Sequence, residues 1–173
     1  MHYYTLTEAP AAGRLAVPDN TVPIRLDRVT IPTELDRSQI VRRLDPTQLQ
    51  IVESDRWAAP LDETIRRVLS NDLAARLPPG IVANSNEPSV GEKRQLLAVD
   101  VSEFYGDASC AVTLRAAWTL KQGDSQSTHG TEEAKTPAPA ACTGAGAIPA
   151  AMSQALGQLS DRIAAAVAAG HAP

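Results

Sequence analysis

Asp55-Arg56-Trp57-Ala58-Ala59-Pro60, running into residues 61–77, decides the architecture. Leu61, Ile65, Val68, Leu69, Leu73 and Leu77 recur at steps of three and four, which sets them on one stripe of an α-helix. Asp62, Glu63, Arg66, Arg67, Asn71 and Arg76 fall largely off that stripe. Asp62–Arg66 and Glu63–Arg67 stand in the favourable acid-first i,i+4 order, each pair contributing roughly 0.2–0.5 kcal/mol. Pro60 suits a first helical position, and the two acids then lie near the positive end of the helix dipole. Pro78-Pro79-Gly80 ends the helix. Trp57, just ahead of it, is expected to clasp the helix entrance. The plain reading is an amphipathic core helix with an aromatic anchor.

Upstream, a short strand is expected at Tyr3-Tyr4-Thr5-Leu6, and residues 8–23 read as a loop because Pro10, Gly13, Pro18 and Pro23 punctuate them. Between Pro23 and Pro32, Ile24 and Leu26 are out of phase with Val29 and Ile31. A strand with a bulge near Asp27-Arg28 repairs the alternation. Residues 33–38 are polar and turn-like. Residues 40–44 and 49–52 flank Asp45-Pro46-Thr47 as a hairpin.

Downstream of the helix, Ile81-Val82-Ala83 suggests a short strand and residues 84–91 a polar loop. Cys110, Val112, Leu114, Ala116, Trp118 and Leu120 alternate with Ala111, Thr113, Arg115, Ala117, Thr119 and Lys121, a period-two pattern with one apolar face. Residues 95–104 pair with it through Tyr105-Gly106-Asp107-Ala108. A second turn at 122–125 leads to a polar strand near 127–135, completing an antiparallel meander. Residues 136–146 are rich in Pro, Ala and Gly and are expected to be mobile. Met152, Leu156, Leu159, Ile163 and Val167 mark a second amphipathic helix, with Pro149 near its start and Gly170 past its end. The expected fold is one α+β domain over residues 1–173, a mostly antiparallel sheet with two amphipathic helices on one face.

Composition narrows function. The chain has 173 residues, 43% hydrophobic and 21% charged, which is enough for a core without staples. A net charge of −4 and only 3% aromatic residues argue against a nucleic-acid partner, which needs a basic footprint or stacking platforms. No run of about 18 apolar residues is present to span a bilayer. Composition does not choose between a cytosolic protein and one whose export segment lies ahead of Met1. Two cysteines, Cys110 and Cys142, allow one bridge. With Cys110 inside a strand pattern and Cys142 in a flexible tract, two unpaired thiols are the favoured reading.

Chemistry-bearing patterns are missing. His2, His129 and His171 have no Cys, Asp or Glu at metal-ligand spacing, so no metal site is expected. Dinucleotide, phosphate-loop and nucleophile-elbow motifs are absent. Glu132 and Glu133 are strand neighbours that point to opposite faces, as solvated charges do. Asp36-Arg37 and Asp55-Arg56 read as loop-ordering pairs. The expectation is no enzyme and no cofactor.

Several blocks in order carry a family resemblance: Tyr3-Tyr4-Thr5-Leu6, Ile31-Pro32, Leu35-Asp36-Arg37, Gln39-Ile40-Val41, Asp55-Arg56-Trp57-Ala58-Ala59-Pro60-Leu61, Ala116-Ala117-Trp118-Thr119-Leu120, and the Ala-rich residues 151–163. Together the chain resembles the PqiC-like ABC-type transport auxiliary lipoproteins of MCE-domain lipid transport systems. The resemblance implies a non-catalytic periplasmic domain held at the outer membrane by an acylated N-terminal cysteine, partnered with a PqiB-like MCE protein that bridges the two membranes. No such cysteine precedes Tyr3, so a leader ending in a lipidated cysteine is expected ahead of Met1. The family has no catalytic residues to carry over. Leu35, Asp36, Arg37, Trp57, Pro60 and Trp118 match its marked positions, as partner-contact candidates for which a structural role is the simpler account. A homo-oligomer is expected, with residues 127–135 and 35–40 as the candidate contact surfaces. The alternative is a stand-alone carrier with an apolar cavity of at least about 300 Å³ for a lipid or other apolar ligand.

Overall fold

The alternation and the two stripes fold as a seven-stranded sheet with both helices on one face. A computed structural model describes residues 1–83, 93–124 and 126–170, so the loop expected at 84–91 and His171 lie outside the described residues. The strands are β1 (His2–Tyr4), β2 (Ile24–Thr30), β3 (Gln39–Asp45), β4 (Gln48–Trp57), β5 (Gln95–Gly106), β6 (Val112–Gln122) and β7 (Gln126–Thr136). The helices are α1 (Leu61–Arg76) and α2 (Ile148–Ala168), with 3-10 turns at Thr33–Leu35 and Ala145–Ala147.

Strand order is β1-β4-β3-β5-β6-β7, and β2 also pairs with β5. The β3–β4 hairpin and the β5–β6–β7 meander are antiparallel as expected. The sheet as a whole is mixed, because β1 runs parallel to β4, and β2 and β3 run parallel to β5. Periodicity reports which face a side chain occupies and carries no information on the direction of a partner strand, hence the correction. The bulge in β2 falls where the phase flip placed it, between Leu26 and Arg28. The strand expected at 81–83 reduces to one bridge, Val82 with Ile24.

All six stripe residues of α1 are buried. Pro60 precedes the helix as its N-cap rather than opening it, and Leu77 closes it. Arg67 reaches across to Glu8 at 3.1 Å and to the Leu6 carbonyl at 3.1 Å, so the crossover after β1 takes the guanidinium that helical spacing assigned to Glu63. Arg76, off the stripe by spacing, is buried between the helices. Its Nε meets Asp161 at 2.5 Å, and its Nη1 lies 3.7 Å from Asp72. The crossover passes over this pair: the Ala9 N–H donates to Asp72 Oδ1 at 2.9 Å. Close packing here requires Gly157, since a Cβ on it would sit 2.4 Å from Ala9 Cβ.

Cys110 and Cys142 form a disulfide, with Cα atoms 5.8 Å apart. The expectation of free thiols fails because Cys110 lies before β6, in the β5–β6 turn, at a φ of 65°. A strand residue would have pointed into the sheet face. This turn conformation instead presents the sulfur to the connection that follows β7.

The helix-covered face of β6 carries Val112, Leu114, Ala116, Trp118 and Leu120, all buried. On the opposite face an ion-pair ladder crosses four strands. Arg43 meets Glu103 at 3.1 Å, Glu103 meets Arg115 at 3.6 Å, and Arg115 meets Glu133 at 2.7 Å. Lys135 ends the ladder 2.6 Å from Glu133.

Candidate functional site

Asp36, Arg37, Trp57 and Pro60, far apart in sequence, line one open groove of about 350 Å³ together with Ser38, Ala58, Ala59 and Leu61. Two backbone hydrogen bonds build it. The Trp57 N–H donates to the Ser38 carbonyl at 2.6 Å, and the Ala58 N–H donates to the Tyr4 carbonyl at 2.8 Å. The end of β4 is thus clamped between β1 and the residues before β3. Arg56 Nη1 adds a bond to Ser38 Oγ at 3.1 Å.

The 33–35 turn is held from below. Tyr105 donates its hydroxyl to Glu34 at 2.7 Å, which holds the Glu34 carboxyl below its usual range. The guanidinium of Arg43 lies 4.5 Å over the Tyr105 ring, a cation–π contact. Burial, and the charge of the neighbouring carboxylate, push the Tyr105 hydroxyl well above its ordinary value. The hydroxyl therefore stays protonated and keeps donating. Arg37 Nε donates to the Glu34 carbonyl at 2.9 Å, which closes the turn.

The six marked residues separate by burial. Leu35, Trp57 and Trp118 are 3%, 7% and 4% exposed and belong to the core. Asp36, Arg37 and Pro60 are exposed on the groove. Trp118 does not join it. It sits on β6 in register with Val99 and with Gly130 of β7, where a Cβ on Gly130 would come within 2.7 Å of the indole. Glu34, Ser38 and Tyr105 are not singled out by their spacing, and Arg56, read as half of a loop-ordering pair with Asp55, lies in β4. The contacts that recruit them span up to 71 residues, and no local pattern reports such contacts.

Among the described residues no group of three His, Cys, Asp or Glu side chains is placed to hold a metal ion. None of the described helices is long and apolar enough to cross a membrane. What the arrangement offers is a rigid, mixed apolar and charged recess.

Comparison with known proteins identifies the fold and the family. A crystal structure of an uncharacterized protein superposes with a TM-score of 0.73 at 25% identity, covering 94% of this chain and 95% of its own. A crystal structure of a Xanthomonas campestris protein gives 0.69 at 20% identity, over 94% and 92%, and so bears on the fold alone. The intermembrane transport lipoprotein PqiC of Escherichia coli is 33% identical over 70 residues, 40% of this chain. PqiC of Shigella flexneri matches to the same extent. The matched stretch spans only 36% of the length of these curated relatives. Residues 4–164, nearly the whole chain and including every element built above except α2's last turn and the start of β1, match a single family description, and this protein belongs to the ABC-type transport auxiliary lipoprotein components.

Proposed function

We propose that this chain is a non-catalytic, periplasmic lipoprotein subunit of an MCE-type intermembrane lipid transport system. In this reading it is the outer-membrane adaptor for a PqiB-like bridging protein. The observation that carries the reading is the family match over residues 4–164, with the PqiC similarity pointing to intermembrane transport. The Cys110–Cys142 disulfide supports an envelope location independently, because such bonds persist in oxidising compartments. The adaptor surface is the groove, where Asp36 and Arg37 are exposed to a partner while Trp57 and Leu35 hold the recess in shape.

The carrier reading has less support. The groove of about 470 Å³ beside β1 and β4 is open, with His2, Arg42, Gln50 and Asp55 standing among Tyr4, Val52 and Ala145, a mixed wall rather than the apolar cavity that a lipid tail needs. The test is affinity purification of the full-length protein from its host envelope, with native mass spectrometry of the product. Recovery of an MCE-domain protein, lost in an Asp36→Ala/Arg37→Ala variant whose melting is unchanged, is the expected result. A partner-free protein carrying stoichiometric lipid would replace the adaptor with the carrier.

A further inference from the structure

Seven large apolar side chains stand out as exposed among the described residues, and five of them gather at one corner of the sheet. Met1 is 71% exposed, Tyr3 65%, Leu44 39%, Leu49 38% and Ile51 42%. Strand register explains the gathering. His2 pairs with Asp55 in parallel, so Met1 lies beside Ser54, and any residues ahead of it run toward the tip of the β3–β4 hairpin. His2, Tyr4, Gln50, Val52 and Ser54 line the groove on the helix side. By strand alternation Tyr3, Leu49 and Ile51 face the other way, onto the open face of the sheet.

That face otherwise carries the charged ladder from Arg43 to Lys135, with Leu96 as the exposed large apolar side chain at its far end beside Lys121, so the apolar side chains concentrate at the corner. The outer edge of β4 is also bare there. β1 covers only Asp55 to Trp57, so residues 48–54 have no strand beyond them among the described residues. The corner is too small for a stable protein interface: five side chains stand against the roughly 20–30 residues that such an interface uses on each side. Two of the chain's three tyrosines, Tyr3 and Tyr4, are adjacent here, and an aromatic ring with one polar end suits the boundary between headgroups and acyl chains.

We propose that this corner, the β3–β4 hairpin with Tyr3 and Met1, rests on a lipid bilayer surface and sets the orientation of the domain on its membrane. The proposal rests on the lipoprotein reading above for the membrane being within reach. Shallow apolar contact binds marginally alone and becomes effective once a second signal tethers the chain. The bilayer contact then turns the opposite end of the sheet, where β5 begins, away from the membrane.

Both native cysteines are engaged in the disulfide, so an introduced thiol can be labelled selectively. The chain is tethered by an N-terminal His tag to vesicles of phosphatidylethanolamine, phosphatidylglycerol and a nickel-chelating lipid. An environment-sensitive dye is placed on Ile51→Cys, or on Lys121→Cys on the same face at the far end of the sheet. A bilayer-embedded quencher is expected to quench the dye at 51 several-fold more than the dye at 121. Adding Tyr3→Ser and Leu49→Ser is expected to remove the difference without changing the melting temperature. Equal quenching at the two positions overturns the proposal. So does a change at 51 that follows protein concentration without vesicles, which would make the corner a contact with a second copy. The tether replaces any native anchor, so loss of native acylation would sink the lipoprotein reading and leave this result intact.

Discussion

Trp57 shows how one residue can be both a family mark and a structural necessity. Its side chain is buried in the core and lines the groove beside Pro60 and Leu61, and its N–H fastens β4 to Ser38. Trp57→Ala is expected to cost about 3–5 kcal/mol, the range for a buried aromatic, whereas Asp36→Ala on the groove rim should stay within about 0.5 kcal/mol. Chemical denaturation of the two variants checks both. Asp72 makes a separate test. Burial pushes its carboxyl from the usual 3.8 up to about 6, against the pull of the Ala9 N–H and Arg76, while Glu8 and Asp161 add to the rise. Between pH 4 and 6 the folded state therefore holds a proton that the unfolded chain has released. Stability from this group falls as pH rises through that window, by up to roughly 2–3 kcal/mol, and is level above it. Asp72→Asn should remove the slope, as urea unfolding at a series of pH values would show.

Among the elements, the connection between β7 and α2 differs most from expectation. Its composition reads as mobile, yet the disulfide pins Cys142 to the β5–β6 turn. The pinned segment then supplies Gly144 and Ala145 to the groove beside β4. Closing a loop of 32 residues' separation restricts the unfolded chain by an amount corresponding to about 3–4 kcal/mol. Replacing both cysteines by serine is expected to lower stability by about 2–4 kcal/mol, measured against the oxidised wild type. β7 itself is the opposite case. Its polar, charged sequence matched an edge strand, and it is one, with Glu132 held to Arg162 of α2 at 3.2 Å.

At the level of the whole molecule, the proposed adaptor meets a partner expected to be a ring of repeated subunits. Linked contacts raise avidity by orders of magnitude, so a cyclic homo-oligomer is the efficient form. Closed rings use two different patches on each subunit. The edge of β7 around residues 127–135 is the first that we propose. Within the second, residues 35–40, Leu35 and Ile40 are buried, which leaves Asp36, Arg37 and Ser38 to make contact. Cysteine crosslinking between Ser127 and Ser38 in the intact envelope is expected to give a ladder of oligomers. Monomer alone, with the protein present at the outer membrane, would rule the ring out.

Sequence alone determined what depends on near neighbours. The α1 stripe, the α2 stripe, the bulge at Leu26–Arg28, the hairpin around Asp45-Pro46-Thr47 and the alternation through Trp118 are all set by side chains within a few turns or strand steps. The order of the blocks likewise sufficed to identify the family. Tertiary structure decided what depends on distant partners. Pairing β1 with β4 and β2 with β5 made the sheet mixed, and a single positive φ at Cys110 turned two thiols into a bridge. Burial of Arg76 followed from Asp161 on a different helix. The assembly of Asp36, Arg37, Trp57 and Pro60 into one groove came from a hydrogen bond between Trp57 and Ser38. Periodicity records which way a side chain faces, and only the folded chain records what it meets there.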